Sequence, residues 1–154
     1  MTTTINDAAL DTRAPQGGPS TTLWLLRSLL TLHALAAIAQ PILAGRYLSG
    51  DFDALLVHGG NAGLVMLMAM GAFAAAVLYW LAGRGVGWPA ALLAVLFVAE
   101  IAQTAVGAQR VLAVHIPLGV GIVAGAVAVA VWSYRPSARR ATTRRLVRMQ
   151  GAPR

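Results

Sequence analysis

The hydrophobic and polar positions divide the chain into four long apolar segments joined by short polar stretches. Each segment is long enough to cross the ~30 Å hydrocarbon layer of a bilayer as a helix. The predicted segments are Thr22–Ala44, Ala54–Leu81, Trp88–Ala108 and Val111–Trp132. Because the connections have only a few residues, neighbouring helices must run antiparallel. The pattern therefore predicts an all-α, integral membrane, antiparallel four-helix bundle over residues 22–134.

The two ends of the chain differ from this domain in composition. Residues 1–21 are polar and rich in turn-forming residues, which predicts a disordered cytoplasmic leader. Residues 135–154 carry seven arginines and form a basic cytoplasmic tail. A tail of this kind is expected to lie against anionic lipid headgroups, although a solvated tail that only fixes topology has the same composition.

Composition supports a membrane protein and excludes several kinds of site. The chain is 58% hydrophobic and only 11% charged. Its net charge of +7 raises nucleic acid as a partner, but the arginines concentrate after the last apolar segment, which favours lipid and not nucleic acid. The absence of cysteine excludes disulfides, iron–sulfur clusters, thiolate zinc sites and covalently attached c-type haem.

The placement of arginine predicts an orientation in the membrane. With both termini cytoplasmic, ten arginines lie on the inner side, and two, Arg46 and Arg110, lie on the outer side. Membrane proteins carry an excess of arginine on the cytoplasmic side of their spans. We therefore expect a multi-pass protein of the plasma membrane with both termini inside.

A short internal repeat relates the first two segments to the last two. Ile38-Ala39-Gln40 matches Ile101-Ala102-Gln103, and the pattern Leu-x-Val-His then opens both the second and the fourth segment. This indicates two helix hairpins related by a pseudo-two-fold axis along the membrane normal.

The repeat places two histidines at matched positions. His58 follows Asp53 by five residues, and His115 follows Arg110 by five. Because the second and fourth helices run in the same direction, equal offsets predict equal depths, ~6 Å below the outer interface. Two neutral imidazoles that face each other across a pseudo-two-fold axis can bind the iron of haem b from opposite sides. His58 and His115 are the predicted metal ligands.

Glycines beside the two histidines are expected to give a planar cofactor room. The candidate positions are Gly59, Gly63, Gly119 and Gly121. Glycines at this spacing also pack membrane helices closely with no ligand between them, and the histidines could then be simple inter-helix hydrogen bonds. A zinc site is disfavoured because it requires three or four converging protein ligands.

Two further polar residues fall within the predicted spans. His33 is predicted ~12 Å deeper than the histidine pair, so it cannot share one small ion with them. It could contact a haem edge, pair with Glu100 or pack as a neutral core residue. Glu100 is the only acidic residue inside a span, where a carboxyl is costly and faces the bundle interior. A proton-transfer role and a structural hydrogen bond are both open for these residues.

Arg46 and Arg110 at the outer rim are candidates for pairing with haem propionates, although arginines that reach toward headgroups have the same sequence signature. No phosphate-binding loop, nucleophile elbow or carboxylate pair occurs in the chain, so the sequence does not favour an enzyme. A redox partner and a homodimer are both compatible with the pattern. The alternatives to a haem protein are a non-haem scaffold or accessory subunit and a small proton or solute pathway.

The histidine positions resemble one four-helix half of the haem A synthase family. Its members carry a histidine near the outer end of the second and fourth helices of each half, as at His58 and His115, and Gln103-x-x-x-Gly107 resembles the end of the family's third helix. The resemblance implies a haem-b-binding bundle. Where the family has a glutamate three residues before the first histidine, this chain has Leu55, and the family's cysteine pair and second half are absent. Oxidation of a haem methyl group is therefore not implied.

Overall fold

A computed structural model describes residues 20–139, which form four long helices. The helices are α1 (Thr21–Leu48), α2 (Asp53–Leu81), α3 (Trp88–Ala108) and α4 (Leu112–Tyr134). The predicted all-α four-helix bundle is confirmed. The expectations for a disordered leader and a basic tail fall almost entirely on residues 1–19 and 140–154, which lie outside the described residues.

The outer surface of the bundle is suited to a bilayer. All four helices are long and apolar enough to cross a membrane. Many large apolar side chains remain exposed around the bundle, including Leu35, Leu56, Leu67, Val95 and Val120. An apolar surface of this extent is stable in lipid and not in water. The chain is therefore an integral, multi-pass membrane protein.

The helices form a closed ring in chain order. α1 packs against α2 and α4, and α3 packs against the same two helices. α1 and α3 therefore lie on one diagonal of the bundle, and α2 and α4 lie on the other. The loops 49–52 and 109–111 share one end, here called the histidine end. The start of α1, the end of α4 and the loop 82–87 share the opposite end, here called the terminal end.

Both helices that lead to the histidine end stop in the same way. α1 continues four residues past the predicted boundary at Ala44, and the chain turns at Gly50, whose φ is +100°. The N–H groups of Gly50 and Asp51 donate to the carbonyls of Tyr47 and Arg46, which satisfies the end of the helix. α3 ends with the same two bonds around Arg110, whose φ is +58°. The repeat seen in the sequence thus has a structural counterpart in the two hairpins.

Buried side chains concentrate toward the terminal end. Leu23, Leu26 and Leu30 of α1 are almost fully buried there, together with Tyr79 and Leu93. Near the histidine end the packing is different, because no residue of 38–48, 55–64, 101–108 or 112–121 is buried. The bundle is therefore closed at the terminal end and loosely packed at the histidine end.

Arg27 is part of the closed end. The sequence assigned it to the cytoplasmic arginines, but its side chain is buried within the bundle. Its Nε donates to the Ser133 carbonyl at 2.8 Å, and its guanidinium lies 5.2 Å from the Trp24 ring and 5.0 Å from the Tyr134 ring. A cation held between aromatic faces is stabilised by the ring quadrupoles. Arg27 therefore ties the start of α1 to the end of α4.

Candidate functional site

The structure brings His58 and His115 together across the diagonal between α2 and α4. Their ring centroids are 6.3 Å apart, and the ring planes are inclined at 61°. Both residues are half-buried. They lie in the loosely packed half of the bundle, where no side chain of the surrounding helix segments is buried.

His115 is held by Gln103 of the preceding helix. Its Nδ1 lies 3.0 Å from the Gln103 backbone oxygen, and its Nε2 lies 3.4 Å from the Gln103 side-chain nitrogen. These contacts fit the tautomer in which Nδ1 donates to the carbonyl and Nε2 accepts from the amide. In that tautomer Nε2 carries the lone pair that a metal ligand requires, and the Gln103 amide would have to move away before the lone pair could bind a metal.

His58 has the corresponding partner in the first hairpin. Its Nδ1 lies 3.2 Å from the backbone oxygen of Gln40, which is the repeat equivalent of Gln103. In the amide orientation that satisfies all its atoms, the Gln40 side chain also donates to this nitrogen at 2.9 Å and accepts from the Ala62 N–H at 3.1 Å. The carbonyl and the amide therefore select opposite tautomers of His58. Only donation to the carbonyl leaves Nε2 free to bind a metal.

The candidate glycines do not share one environment. A Cβ added at Gly59, Gly63 or Gly121 would meet no other atom within 4 Å, so these positions border open space. A Cβ at Gly119 would lie 2.7 Å from the Gln103 side-chain nitrogen, so this glycine accommodates the glutamine. Three of the four candidate glycines are therefore exposed positions without neighbours, and the fourth accommodates the glutamine that contacts His115.

Gly107 was not among the candidate residues but shapes the site directly. A Cβ at this position would lie 2.6 Å from Cε1 and 2.8 Å from Nδ1 of His115. Those distances are too short for real contacts, so only glycine lets the imidazole pack this closely against α3. Gly107 thus allows the short contact between His115 and the Gln103 carbonyl.

The residues present can be tested against the geometry of a metal cofactor. Two metal–nitrogen bonds of about 2 Å, with the two ring radii added, place the centroids of opposed axial imidazoles about 6 Å apart. The observed separation of 6.3 Å is close to this value, and it is also within the range of an edge-to-face contact between two rings. Within residues 20–139, no group of three or more histidine, aspartate or glutamate residues could hold an ion by itself. The pair by itself therefore supplies two nitrogen ligands.

His33 and Glu100 meet on the other diagonal, between α1 and α3. His33 Nε2 lies 2.7 Å from Glu100 Oε1, and the two side chains are 0% and 5% exposed. Of the three roles open for His33, the structure places it in the contact with Glu100. His33 Nδ1 and Glu100 Oε2 are both buried and have no hydrogen-bond partner among the described residues.

The two rim arginines are exposed at the histidine end. Arg46 pairs with Asp51 in the α1–α2 loop, where its Nε lies 3.0 Å from Oδ2. Arg110 occupies the turn after α3 in a left-handed conformation. Neither side chain contacts the histidine pair through a hydrogen bond within the described range, and both remain at the mouth of the loosely packed region.

The contribution of the two glutamines was missed in the choice of site residues. The Ile-Ala-Gln repeat pointed to them, since each glutamine precedes a histidine in the matching hairpin. Their contacts with the histidines are partly through backbone carbonyls, which have no signature in side-chain type. Asn61 was also missed: one turn after His58, its amide donates to the Ala36 carbonyl at 2.8 Å and fastens α2 to α1.

Comparison of this chain with protein-family models, with curated proteins and with solved structures finds no match. The relation to the haem A synthase family therefore remains a resemblance of short motifs. The basis for a functional proposal is the geometry of the four helices and of their buried polar residues.

Proposed function

We propose that this protein binds haem b between His58 and His115 and serves in electron transfer or haem handling within the membrane. The observation that carries the proposal is the meeting of two imidazoles from diagonal helices at a centroid separation of 6.3 Å. Each imidazole has Nδ1 against the backbone oxygen of an equivalent glutamine. Hydrogen bonding at Nδ1 orients a histidine for metal binding through Nε2.

The loose packing of the histidine end supports a bulky planar ligand. Gly59 and Gly63 on α2 and Gly121 on α4 are exposed positions without side chains, within six residues of the histidines along the chain. No residue is buried in the corresponding parts of the four helices. A haem in this region would bury apolar helix surface.

Different residues of the chain would bind the iron, orient the imidazoles and pair with the propionates. His58 and His115 would supply the axial nitrogens, and Gln40 and Gln103 would orient the two rings. Arg46 and Arg110 would lie at the mouth, where propionates could pair with their guanidinium groups. When bound, a low-spin haem would supply reversible one-electron chemistry.

We also propose that the histidine end faces the outside of the plasma membrane. The support is the uneven placement of arginine along the sequence. Ten of the twelve arginines lie on the side that is predicted to be cytoplasmic, together with both termini. The haem would then lie near the outer surface, accessible to a redox partner on that side.

A second candidate function is a non-haem scaffold or accessory subunit. The observation that favours it is that both histidines already have hydrogen-bond partners on neighbouring helices. In this case the pair would act only as inter-helix contacts. The scaffold predicts a colourless protein in which alanine at either histidine costs about 1 kcal/mol of unfolding free energy.

The visible spectrum of the detergent-purified protein, supplemented with haem, tests the proposal. We expect a Soret band and a sharp α band in the reduced-minus-oxidised spectrum. His58→Ala and His115→Ala should each abolish the low-spin signal. His33→Ala is the matched control, because it removes a buried histidine of the same bundle and should largely preserve the signal. A wild-type protein without Soret or α bands would contradict haem binding and favour the scaffold.

A further inference from the structure

The His33–Glu100 pair is the strongest polar feature that haem binding by itself does not use. The imidazole and the carboxyl are buried between α1 and α3, with 2.7 Å between Nε2 and Oε1. Thr104 donates to the backbone carbonyl of Glu100 at 3.0 Å and leaves its carboxyl oxygens untouched. An ionisable pair within a membrane span is costly to retain, and such pairs commonly serve in proton movement.

We propose that the His33–Glu100 pair is a redox-linked proton site whose proton affinity would rise when the haem iron is reduced. The inference rests on the proposed function. His33 Nδ1 and Glu100 Oε2 have no hydrogen-bond partner among the described residues. The pair can therefore accept one additional proton. The hydrogen bond between Nε2 and Oε1 already contains one proton, so the added proton would bind one of these two unpartnered atoms.

The pair lies close to the haem position along the helix axes. Glu100 is three residues before Gln103 on α3, and His33 is seven residues before Gln40 on α1. At 1.5 Å per residue, these offsets are about 5 Å and about 10 Å toward the terminal end. With an effective dielectric constant of ~20, an electron added about 10 Å away changes the proton affinity of the pair by roughly tenfold.

The pair faces no other ionisable group at its own level. The remaining ionisable residues of its own helices are Arg27, Arg46 and Tyr47 of α1, and α3 contributes only Glu100. The two helices packed against the pair carry theirs near their ends: Asp53, His58 and Tyr79 on α2, and His115 and Tyr134 on α4. Among the ionisable residues of the four helices, the pair is therefore the candidate proton site in the middle of the bundle.

The exchange balances in charge and in atoms. Ferric haem with two neutral imidazoles carries one positive charge on its iron–porphyrin core, and the pair with a neutral imidazole and a carboxylate carries one negative charge. A one-electron donor supplies the electron, and water supplies the proton. After both have arrived, the ferrous core and the protonated pair are each neutral. Neither state leaves a net charge inside the membrane, where a net charge is unfavourable.

Redox titration of the haem-loaded protein, with dithionite as reductant, tests the inference. We expect the wild-type midpoint potential to fall by roughly 59 mV in total as pH rises. For a one-electron couple, this shift corresponds to a tenfold change in the proton affinity of the pair. Glu100→Gln should remove most of this fall. Thr104→Val is the matched control on the same helix face, and it should retain the wild-type fall. Equal pH dependence in the wild type and Glu100→Gln would overturn the inference.

Direct measurement of proton uptake, compared between the wild type and Glu100→Gln, gives a second test, because uptake by the pair should be lost in the variant. A pH-indicator dye in weakly buffered detergent solution should report uptake of about half a proton per haem on reduction, at the pH of maximal response, for a tenfold affinity change. No uptake at any pH would overturn the inference while haem binding stands. A protein that takes up no haem overturns the proposed function and this inference with it.

Discussion

His33 on α1 and Glu100 on α3 hydrogen-bond across the diagonal of the bundle, with 2.7 Å between Nε2 and Oε1. α1 and α3 are not neighbours in the helix ring, so this bond joins two helices that otherwise contact α2 and α4. The other diagonal is crossed by His58 and His115, nearer the histidine end. One polar pair thus crosses each diagonal of the bundle. The His33–Glu100 pair is buried, and the His58–His115 pair is half-buried.

The coupling between His33 and Glu100 should be measurable as stability. His33→Leu and Glu100→Leu each leave one polar partner buried without the other, so we expect each to cost about 3 kcal/mol of unfolding free energy. The double variant should cost less than the sum of the two. Unfolding by SDS in mixed micelles gives the required free energies. Strict additivity would show that the two side chains do not interact.

Gly107→Ala should disturb the site without destabilising the helix. The new methyl group would meet the His115 ring at 2.6 Å and rotate it away from the Gln103 carbonyl. Misorientation of a metal-binding histidine typically costs 10–100-fold in affinity, and we expect about this loss in a haem titration. Gly45→Ala is the control, because a Cβ there meets nothing within 4 Å. Wild-type affinity in Gly107→Ala would remove the role assigned to Gly107.

Gly63→Ala tests whether the open helix surface is occupied by the cofactor. In the haem-free protein the added methyl group meets no atom within 4 Å, and alanine favours a helix by roughly 0.5–1 kcal/mol over glycine. We therefore expect equal or higher stability without haem and weaker haem binding. Both quantities come from parallel unfolding and haem titrations. Unchanged haem affinity would place the macrocycle away from this face of α2.

Arg110→Gly separates backbone strain from charge at the rim. Arg110 has a φ of +58°, a conformation that costs a non-glycine residue roughly 1–2 kcal/mol. Glycine should therefore raise the unfolding free energy of the haem-free protein by about 1 kcal/mol. If the guanidinium pairs with a propionate in solvent, haem affinity should fall by less than tenfold. Unchanged haem affinity in the stabilised variant would exclude the propionate contact.

Much of the fold was accessible from the sequence because membrane insertion leaves a strong hydropathy signal. The four segments, their antiparallel order and the matched positions of His58 and His115 all followed from apolar length and spacing. The end of α1 was placed at Ala44 because Gly45 and Arg46 suggest a boundary there. The helix instead continues to Leu48, since the turn needs the positive φ of Gly50.

The details of the site were harder to predict for a physical reason. The bonds from His58 and His115 to the Gln40 and Gln103 backbone oxygens depend on helix register and rotation, which hydropathy does not encode. The contact between His33 and Glu100 likewise depends on how α1 and α3 face each other. Spacing along one helix gives the depth of a side chain, but only the assembled bundle gives its neighbour.

The diagonal arrangement has a consequence for how the protein can be assembled. Each hairpin, α1–α2 or α3–α4, contributes one residue to each of the two polar pairs. Neither hairpin therefore contains a complete pair. Cutting the chain between the hairpins, in the loop 82–87, would yield two fragments that each hold a single imidazole for haem. Haem that binds as proposed would then link the two fragments. The visible absorption of the bound haem would measure their reassociation.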